Sequence, residues 1–340
     1  MLECIDLFCG AGGLSLGLDR AGIRVRAAVD QDADCKSTYT SHFKNVSFIQ
    51  SRIQQVDVDQ LTKRVKDPER LILAGGPPCQ LFSRLNRAPA EMTDELVAYV
   101  KLVKLLRPAF VVFENVPAIL RRSLAWNFVL SSLQKMKYLV EFGVLAATDF
   151  NIPQHRRRLI VIAGRERVTL PEGNAGRVLT LRDAISHLPD RSDSIPNHVG
   201  FRLSAENLKR IRQLKAGELS KQMDDAFRDS YARMEWDKPA PTITTKCISF
   251  SNGRFGHPEY DRAITVREAA IIQGFPDDFI FEGCIRSAAR QVGNAVPPPI
   301  SEAIGRQILR AFEKGRQRSV IRKRIATTPR VPGNRGTQRD

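Results

Sequence analysis

The sequence predicts an α/β protein in two parts: a parallel sheet flanked by helices, and a second, smaller, irregular domain. Three observations predict it. Over the first 165 residues, short apolar runs alternate with segments of helical apolar spacing, the pattern of strand and helix units around a parallel sheet. From Arg165 to Arg262 the texture changes to 17 basic and 14 acidic residues, frequent Pro and Gly, and short strand runs. Near Thr265 the α/β texture returns, so a later segment is expected to close the first domain. The boundaries that follow are 1–164 completed by 263–312, then 165–262 for the second domain, and 313–340 for a basic tail.

Each element has its own signal. Glu3 to Phe8 reads as a buried strand; glycines follow, then a helix from Leu14 to Ala21. Arg24 to Val29 is a second strand, ended by Asp30, Asp32 and Asp34. Leu71 to Ala74 is a short strand running into Gly75-Gly76-Pro77-Pro78. Glu95 to Leu106 has helical spacing, and Phe110 to Phe113 and Leu159 to Ala163 are buried strands. The stretch VREAAIIQGF looks helical, GNAVPPP breaks it, and a last helix spans Ile300 to Phe312.

Composition narrows the function. The chain has 340 residues, 42% hydrophobic and 26% charged, which excludes a fibrous or wholly disordered protein. Lys plus Arg number 53 against 37 Asp plus Glu, a net charge of +16. Such a surplus favours a polyanionic partner, nucleic acid or an acidic membrane. No apolar run reaches the roughly 18 residues of a membrane span, and the N-terminus has no basic region of a secretory signal. None of the six Cys is paired as C-x-x-C, so neither a zinc site nor a disulfide scaffold is expected, and a reducing cytoplasm is the expected compartment. From Arg306 to Asp340 there are eleven Lys or Arg against Glu313 and Asp340. The composition of 313–340 predicts disorder, compatible with a basic arm laid along nucleic acid.

Asp6-Leu7-Phe8-Cys9-Gly10-Ala11-Gly12-Gly13 joins the first strand to the first helix. Glycines there admit close approach of a ligand, and the helix start offers free N–H groups. Asp30, at the end of the second strand, sits where an acid holds ribose hydroxyls. A tight turn with no ligand is the plainer reading. The dinucleotide fingerprint is broken, because its third glycine falls on Ser15.

Cys79 follows the Pro-rigidified turn at a strand edge, where α/β sheets place ligands. A thiolate there is a candidate nucleophile, although Cys is more often a small buried hydrophobe. Glu114 ends the next strand, and Gln154, Arg156 and Arg158 share one face in a period-two register. A nucleophile, a proton donor and two fixed cations can thus meet at one sheet edge. Alternatively Glu114 is a capping acid and the Arg run a solvated patch.

Together these segments resemble the DNA (cytosine-5)-methyltransferase family in wording and order, over about Cys4 to Phe312. DLFCGAGGLSLGL is similar to its S-adenosylmethionine loop, GGPPCQ to its Pro-Cys motif, ENV to its glutamate motif and QHRRR to its Gln-x-Arg-x-Arg motif. REAAIIQGFP and QVGNAVPPP are similar to its last two motifs, and the stretch from Tyr231 to Thr245 to one found in bacterial members. Two departures stand out. The family's Gly-Asp-Ile element aligns with Ser51-Arg52-Ile53, so the contact to the cofactor adenine changes, with Asp57 the nearest acid to replace it. A frequent Gly aligns with Asn151.

The resemblance implies a Rossmann-like S-adenosylmethionine-dependent methyltransferase sheet with a target-recognition domain at 165–262. It implies transfer of the methyl group to carbon 5 of a flipped-out cytosine in a specific duplex sequence. Cys79 would attack carbon 6, Glu114 would protonate or hydrogen-bond ring nitrogen 3, and Arg158 would meet oxygen 2. Arg156 would support the Cys–Glu pair or a phosphate. Phe8, Gly10, Gly12, Gly13, Asp30, Pro78, Asn294 and Val296 would bind the cofactor, and Gln80, Ser83 and Arg84 would touch DNA. A cognate restriction endonuclease is an expected partner, and a monomer the expected state. The rivals are an RNA cytosine-5 methyltransferase, separated by its substrate; a silent DNA-binding module, against which the four polar site residues speak; and an NAD-dependent oxidoreductase, which Ser15 disfavours.

Overall fold

The computed structural model describes residues 1–65, 67–78, 92–121, 123–174, 176–218 and 230–327. Seven strands form the main sheet: β1 (Glu3–Leu7), β2 (Arg24–Asp30), β3 (Ser47–Gln50), β4 (Leu71–Gly75), β5 (Phe110–Asn115), β6 (Leu139–Ala146) and β8 (Arg157–Gly164), with β7 (Gln154–His155) lying outside it. Their order is β3-β2-β1-β4-β5-β8-β6. β1, β4 and β5 are mostly apolar and buried at every position, as a sheet covered on each side by helices requires. Helices α1 (Gly13–Arg20), α2 (Ala33–His42), α3 (Val58–Thr62), α4 (Asp94–Leu106) and α5 (Ser123–Lys135) connect the strands.

The sheet is mixed, against the parallel one expected. β8 runs antiparallel to both β5 and β6. Only residues 147–156 join β6 to β8, with Ala146 opposite Arg157. A parallel return needs a crossover of a dozen or more residues, so this short link forces the reversal. Asn151 in that link has φ 57°, a left-handed conformation that Asn tolerates almost as Gly does.

Residues 165–262 add α6 (Leu181–Ile185), α7 (Ala205–Arg212) and β9 (Ala240–Pro241). Apolar side chains around α6 and β9 share a cluster with α8 (Val266–Ile272) and α9 (Ile285–Asn294), Ile243 and Phe255 packing with Ala270 and Val292, while Ile211 of α7 packs with Phe250 in a separate one. Beside the first cluster Arg262 donates to both oxygens of Glu268 at 2.8 and 2.9 Å. Glu268 in turn closes a capping box with Thr265 at the start of α8. Burial, with Arg262 and Arg233 nearby, pulls the His257 imidazole down to about 3.

Helix α10 (Pro298–Thr327) lies on the sheet beside α1, with Ile300, Ile304 and Ile308 buried against Leu14 and Leu18. It continues well past Phe312, so residues 313–327 are helical where composition predicted disorder. No proline interrupts the chain between Pro299 and Pro329, and Lys, Arg and Gln are good helix formers. The ring of Phe312 meets that of Phe110, at the start of β5, with centroids 6.4 Å apart. The extension therefore leaves from the sheet edge opposite Glu114.

Candidate active site

A cleft of about 590 Å³ opens at the C-terminal ends of β1, β2, β4 and β5, where open α/β sheets hold ligands. Phe8, Gly10, Asp30, Pro78, Asn294 and Val296 line it, all six expected from sequence. Phe8 has φ 59°, a left-handed conformation uncommon for an aromatic residue, and it ends β1 one residue before the predicted strand does. Both oxygens of Asp30 are engaged: Oδ2 accepts from the Gly10 N–H and Oδ1 from the Asp32 N–H, each at 2.9 Å. Burial, the largest cause, raises the Asp30 carboxyl above its ordinary range.

Gly12 and Gly13, expected as cofactor ligands, are not among the lining residues. Their missing side chains serve packing. A Cβ on Gly12, where φ is 95°, would lie 2.5 Å from the Phe43 ring, and one on Gly13 would lie 2.3 Å from the Val296 carbonyl oxygen. Ser15 is also explained. It is buried and donates to Asp6 Oδ2 at 2.6 Å while sharing a hydrogen bond with the Tyr39 hydroxyl at 2.7 Å. It faces the interior and offers nothing to a dinucleotide phosphate.

At the other end of the cleft, Glu114 is 9% exposed, and its Oε1 pairs with Arg158 Nε at 2.9 Å. Gly76 makes room for this carboxylate, since a Cβ there would stand 2.8 Å from Glu114 Oε2. Asn115 Nδ2 donates to the Pro77 carbonyl at 3.2 Å, which pins the Pro-Pro turn to the end of β5. Cys79 and the expected DNA contacts Gln80, Ser83 and Arg84 lie outside the described residues.

Arg156 is held by backbone. It lines the cleft but is 1% exposed, and its guanidinium donates to the backbone carbonyls of Ile243, Gly293 and Ala295. A tight turn, with the Arg156 N–H donating to the Gln154 carbonyl at 2.9 Å, separates β7 from β8, and Arg156 and Arg158 both line the cleft.

Three residues that carry the site were passed over. Asn115 stands in the quoted ENV motif. Arg290 closes the rim by pairing with Asp32 at 2.7 Å. Asp6, 1% exposed at the cleft floor, keeps Oδ1 buried with no hydrogen-bond partner. An acid in the apolar run ECIDLFC is itself a signal that was available in the sequence. These features fit S-adenosylmethionine: an acid at the end of β2 for a ribose, the buried wall of Ile53 for an adenine, and an orphaned carboxylate oxygen for a cationic tail. Asp57, the acid offered as a substitute for adenine contact, instead caps α3 and does not line the cleft.

Comparison with known proteins agrees with this geometry. The C-5 cytosine-specific DNA methylase family matches residues 2–310. The type II methylase M.HgiDII of Herpetosiphon aurantiacus is 36% identical, with 94% of this chain and 98% of that protein covered. The type II methyltransferase M1.HphI of Haemophilus parahaemolyticus is 32% identical, over 91% and 87%. Among solved structures, a prophage-encoded E. coli protein assigned as a DNA modification methyltransferase superposes with a TM-score of 0.74 at 26% identity, over 92% of this chain and all of that one. The Dnmt2 methyltransferase of S. pombe superposes at 0.66 with 17% identity, over 92% and 98%, a likeness of fold alone. The cleft, the Glu114–Arg158 pair and the match over nearly the whole chain agree: this protein belongs to the C-5 cytosine-specific DNA methylase family, a DNA (cytosine-5)-methyltransferase with S-adenosylmethionine as its methyl donor.

Proposed function

We propose that the protein modifies one cytosine within a specific duplex word, through a covalent bond to Cys79, as the modification enzyme of a restriction–modification system. The observation that carries the reading is the Glu114–Arg158 pair, set 2.9 Å apart beside a Pro-Pro turn that leads directly to Cys79. Carbon 5 of cytosine is a poor nucleophile. Addition of the Cys79 thiolate to carbon 6, with Glu114 donating a hydrogen bond or proton to ring nitrogen 3, makes carbon 5 enamine-like. S-adenosylmethionine, when bound, supplies an electrophilic methyl group. Arg158 fixes Glu114 and presents its remaining donors to oxygen 2 of the base. A water molecule then takes the carbon-5 proton as the carbon 6–sulfur bond breaks, which releases the Cys79 thiolate and restores the aromatic ring. Phe8, Gly10, Asp30, Pro78, Asn294 and Val296 hold the cofactor, with Asp6 toward its cationic end.

The target carbon is stacked inside a duplex, so the base must leave the helix at a cost of a few kcal/mol. DNA contacts offset that cost. We assign them to Gln80, Ser83 and Arg84 near the target and to 165–262 for base edges in the major groove. The reading also places the enzyme in the cytoplasm, as a monomer, beside an endonuclease that cuts the same word.

Bisulfite sequencing of DNA from cells expressing the chain tests this reading. One word should resist conversion at one cytosine, and Cys79→Ala should abolish that protection. A duplex with 5-fluorocytosine at the target should form a denaturation-resistant adduct with the wild type only. Full conversion everywhere, or an adduct that survives in Cys79→Ala, overturns it; methyl transfer to tRNA in its place would select the RNA rival.

A further inference from the structure

Arg156 and Gln154 hold together two stretches of backbone that serve different ends of the molecule. Arg156 Nη1 donates to the Ile243 carbonyl at 3.0 Å, and Gln154 Oε1 accepts from the Ile243 N–H at 2.9 Å. Both polar groups of that residue's backbone are thus taken by one short segment. Ile243 follows β9, which pairs with β7 through Gln154 opposite Ala240 and His155 opposite Pro241. This is the edge of the 165–262 region.

The same guanidinium reaches the other way. Nη2 donates to the carbonyls of Gly293 and Ala295 at 3.2 and 3.0 Å. Gln154 donates to Gln273 Oε1 at 2.6 Å, and Gln273 donates to the Ala295 carbonyl at 2.7 Å. Both lone pairs of that carbonyl are therefore used. Ala295 lies between Asn294 and Val296, which line the cofactor cleft. The two stretches also touch directly, because a Cβ on Gly293 would lie 2.3 Å from the Thr244 carbonyl carbon.

A buried guanidinium that loses a carbonyl acceptor regains no water, so the two stretches are bound to move together. We infer that Arg156 is a positioning residue that couples DNA binding by the second domain to cofactor binding. A shift of 240–245 as that domain closes on a duplex is passed through Arg156 to the Ala295 carbonyl and so to Asn294. The inference rests on the reading that residues 165–262 engage DNA. Linkage makes the effect reciprocal: whatever factor DNA applies to cofactor affinity, the cofactor applies to DNA affinity. Lys in this place carries the charge but cannot fork to three carbonyls.

The test uses the full chain, S-adenosylhomocysteine, and a duplex bearing the word found by bisulfite sequencing. Absence of any such word sinks the functional reading and leaves this one without a subject, so the two failures are told apart. In the wild type the duplex should tighten S-adenosylhomocysteine binding about fivefold or more, with the same factor in reverse. Arg156→Lys should bring that factor below about twofold, whatever it does to each binary affinity. A wild-type factor of one, or an unchanged factor in Arg156→Lys, overturns the inference. If Arg156→Lys does not fold, hydrogen exchange on the wild type decides. Saturating S-adenosylhomocysteine without DNA should slow exchange of the Ile243 amide, which lies outside the cleft, and no slowing overturns the inference.

Discussion

Asp6→Asn should make the fold less sensitive to pH and the cofactor site weaker. Asp6 is almost fully buried, accepts from Ser15 through one oxygen and leaves the other unpartnered. Burial is the main cause that lifts its carboxyl from 3.8 to about 7, with the nearby Asp30 adding to the rise. The sign follows from linkage. An unfolded chain releases this proton near pH 4, whereas the native protein keeps it to about 7. The stability Asp6 contributes is therefore complete below pH 4 and lost as pH climbs to about 7, then level above. That interval spans roughly three pH units at about 1.4 kcal/mol each. Between pH 5 and pH 8 the wild type should lose about 2–3 kcal/mol through this residue alone. Asn cannot ionise, so the stability gap between the two proteins should change by that amount over the same range. Urea unfolding at pH 5 and pH 8 measures the gap, and the comparison cancels every other titrating group. A gap that does not move with pH refutes the buried, high-affinity proton. Calorimetry on the same pair should show S-adenosylhomocysteine binding weakened in Asp6→Asn, since an amide cannot ion-pair with an ammonium group.

Arg52→Ala should change the cofactor dissociation constant by less than tenfold, about 1.4 kcal/mol, because Arg has only donors to offer an adenine amino group; a larger loss in a titration makes Arg52 a ligand. Gly17→Ala should lower the unfolding midpoint in urea by the equivalent of about 2 kcal/mol, since backbone atoms cannot yield and crowding at the upper end of about 1–3 outweighs roughly 1 of helix propensity. Its Cβ would sit 2.3 Å from the Pro298 carbonyl oxygen and 2.6 Å from the Glu302 nitrogen, and an unmoved midpoint shows that α10 shifts freely. Truncation after Lys314 should leave the methylated word unchanged and make the log–log salt dependence of DNA binding shallower by about 0.9 for each phosphate lost. An unchanged slope means that the basic extension touches no DNA.

Much of the fold was legible because it rests on local pattern. β1, β2, β4 and β5 and helices α1 and α4 fall within a residue or two of where apolar runs and turn glycines put them. Polarity of pairing was not legible, since an apolar run such as β8 reads alike in either direction. The length of 147–156 was the clue to its reversal. In the site, Phe8, Asp30 and Glu114 could be placed because each closes a recognisable strand. The packing demand on Gly12 and Gly13 was not legible, because a glycine demanded by a ligand and one demanded by a neighbour look identical in sequence; only the structure shows the Phe43 ring and the Val296 carbonyl against them. The backbone acceptors of Arg156 were not legible either, as Ile243, Gly293 and Ala295 lie 87 to 139 residues away. The tail was judged on charge, which governs burial, while helix continuation is governed by backbone propensity and the lack of proline.

The groove on α1 that Gly13 and Gly17 keep open is filled by residues 296–302, made almost a whole chain length later. Until then the cofactor cleft lacks Asn294 and Val296, and the apolar cluster around Leu14 and Leu18 lacks Ile300, Ile304 and Ile308. Such distant closure is slow and leaves surface on which nascent chains associate. Synthesis therefore sets an order of events: the glycine loop, the Pro-Pro turn and the Glu114–Arg158 pair are all translated before the pocket is able to retain a methyl donor. A chain that ends before α10 lacks the residues that fill the α1 groove.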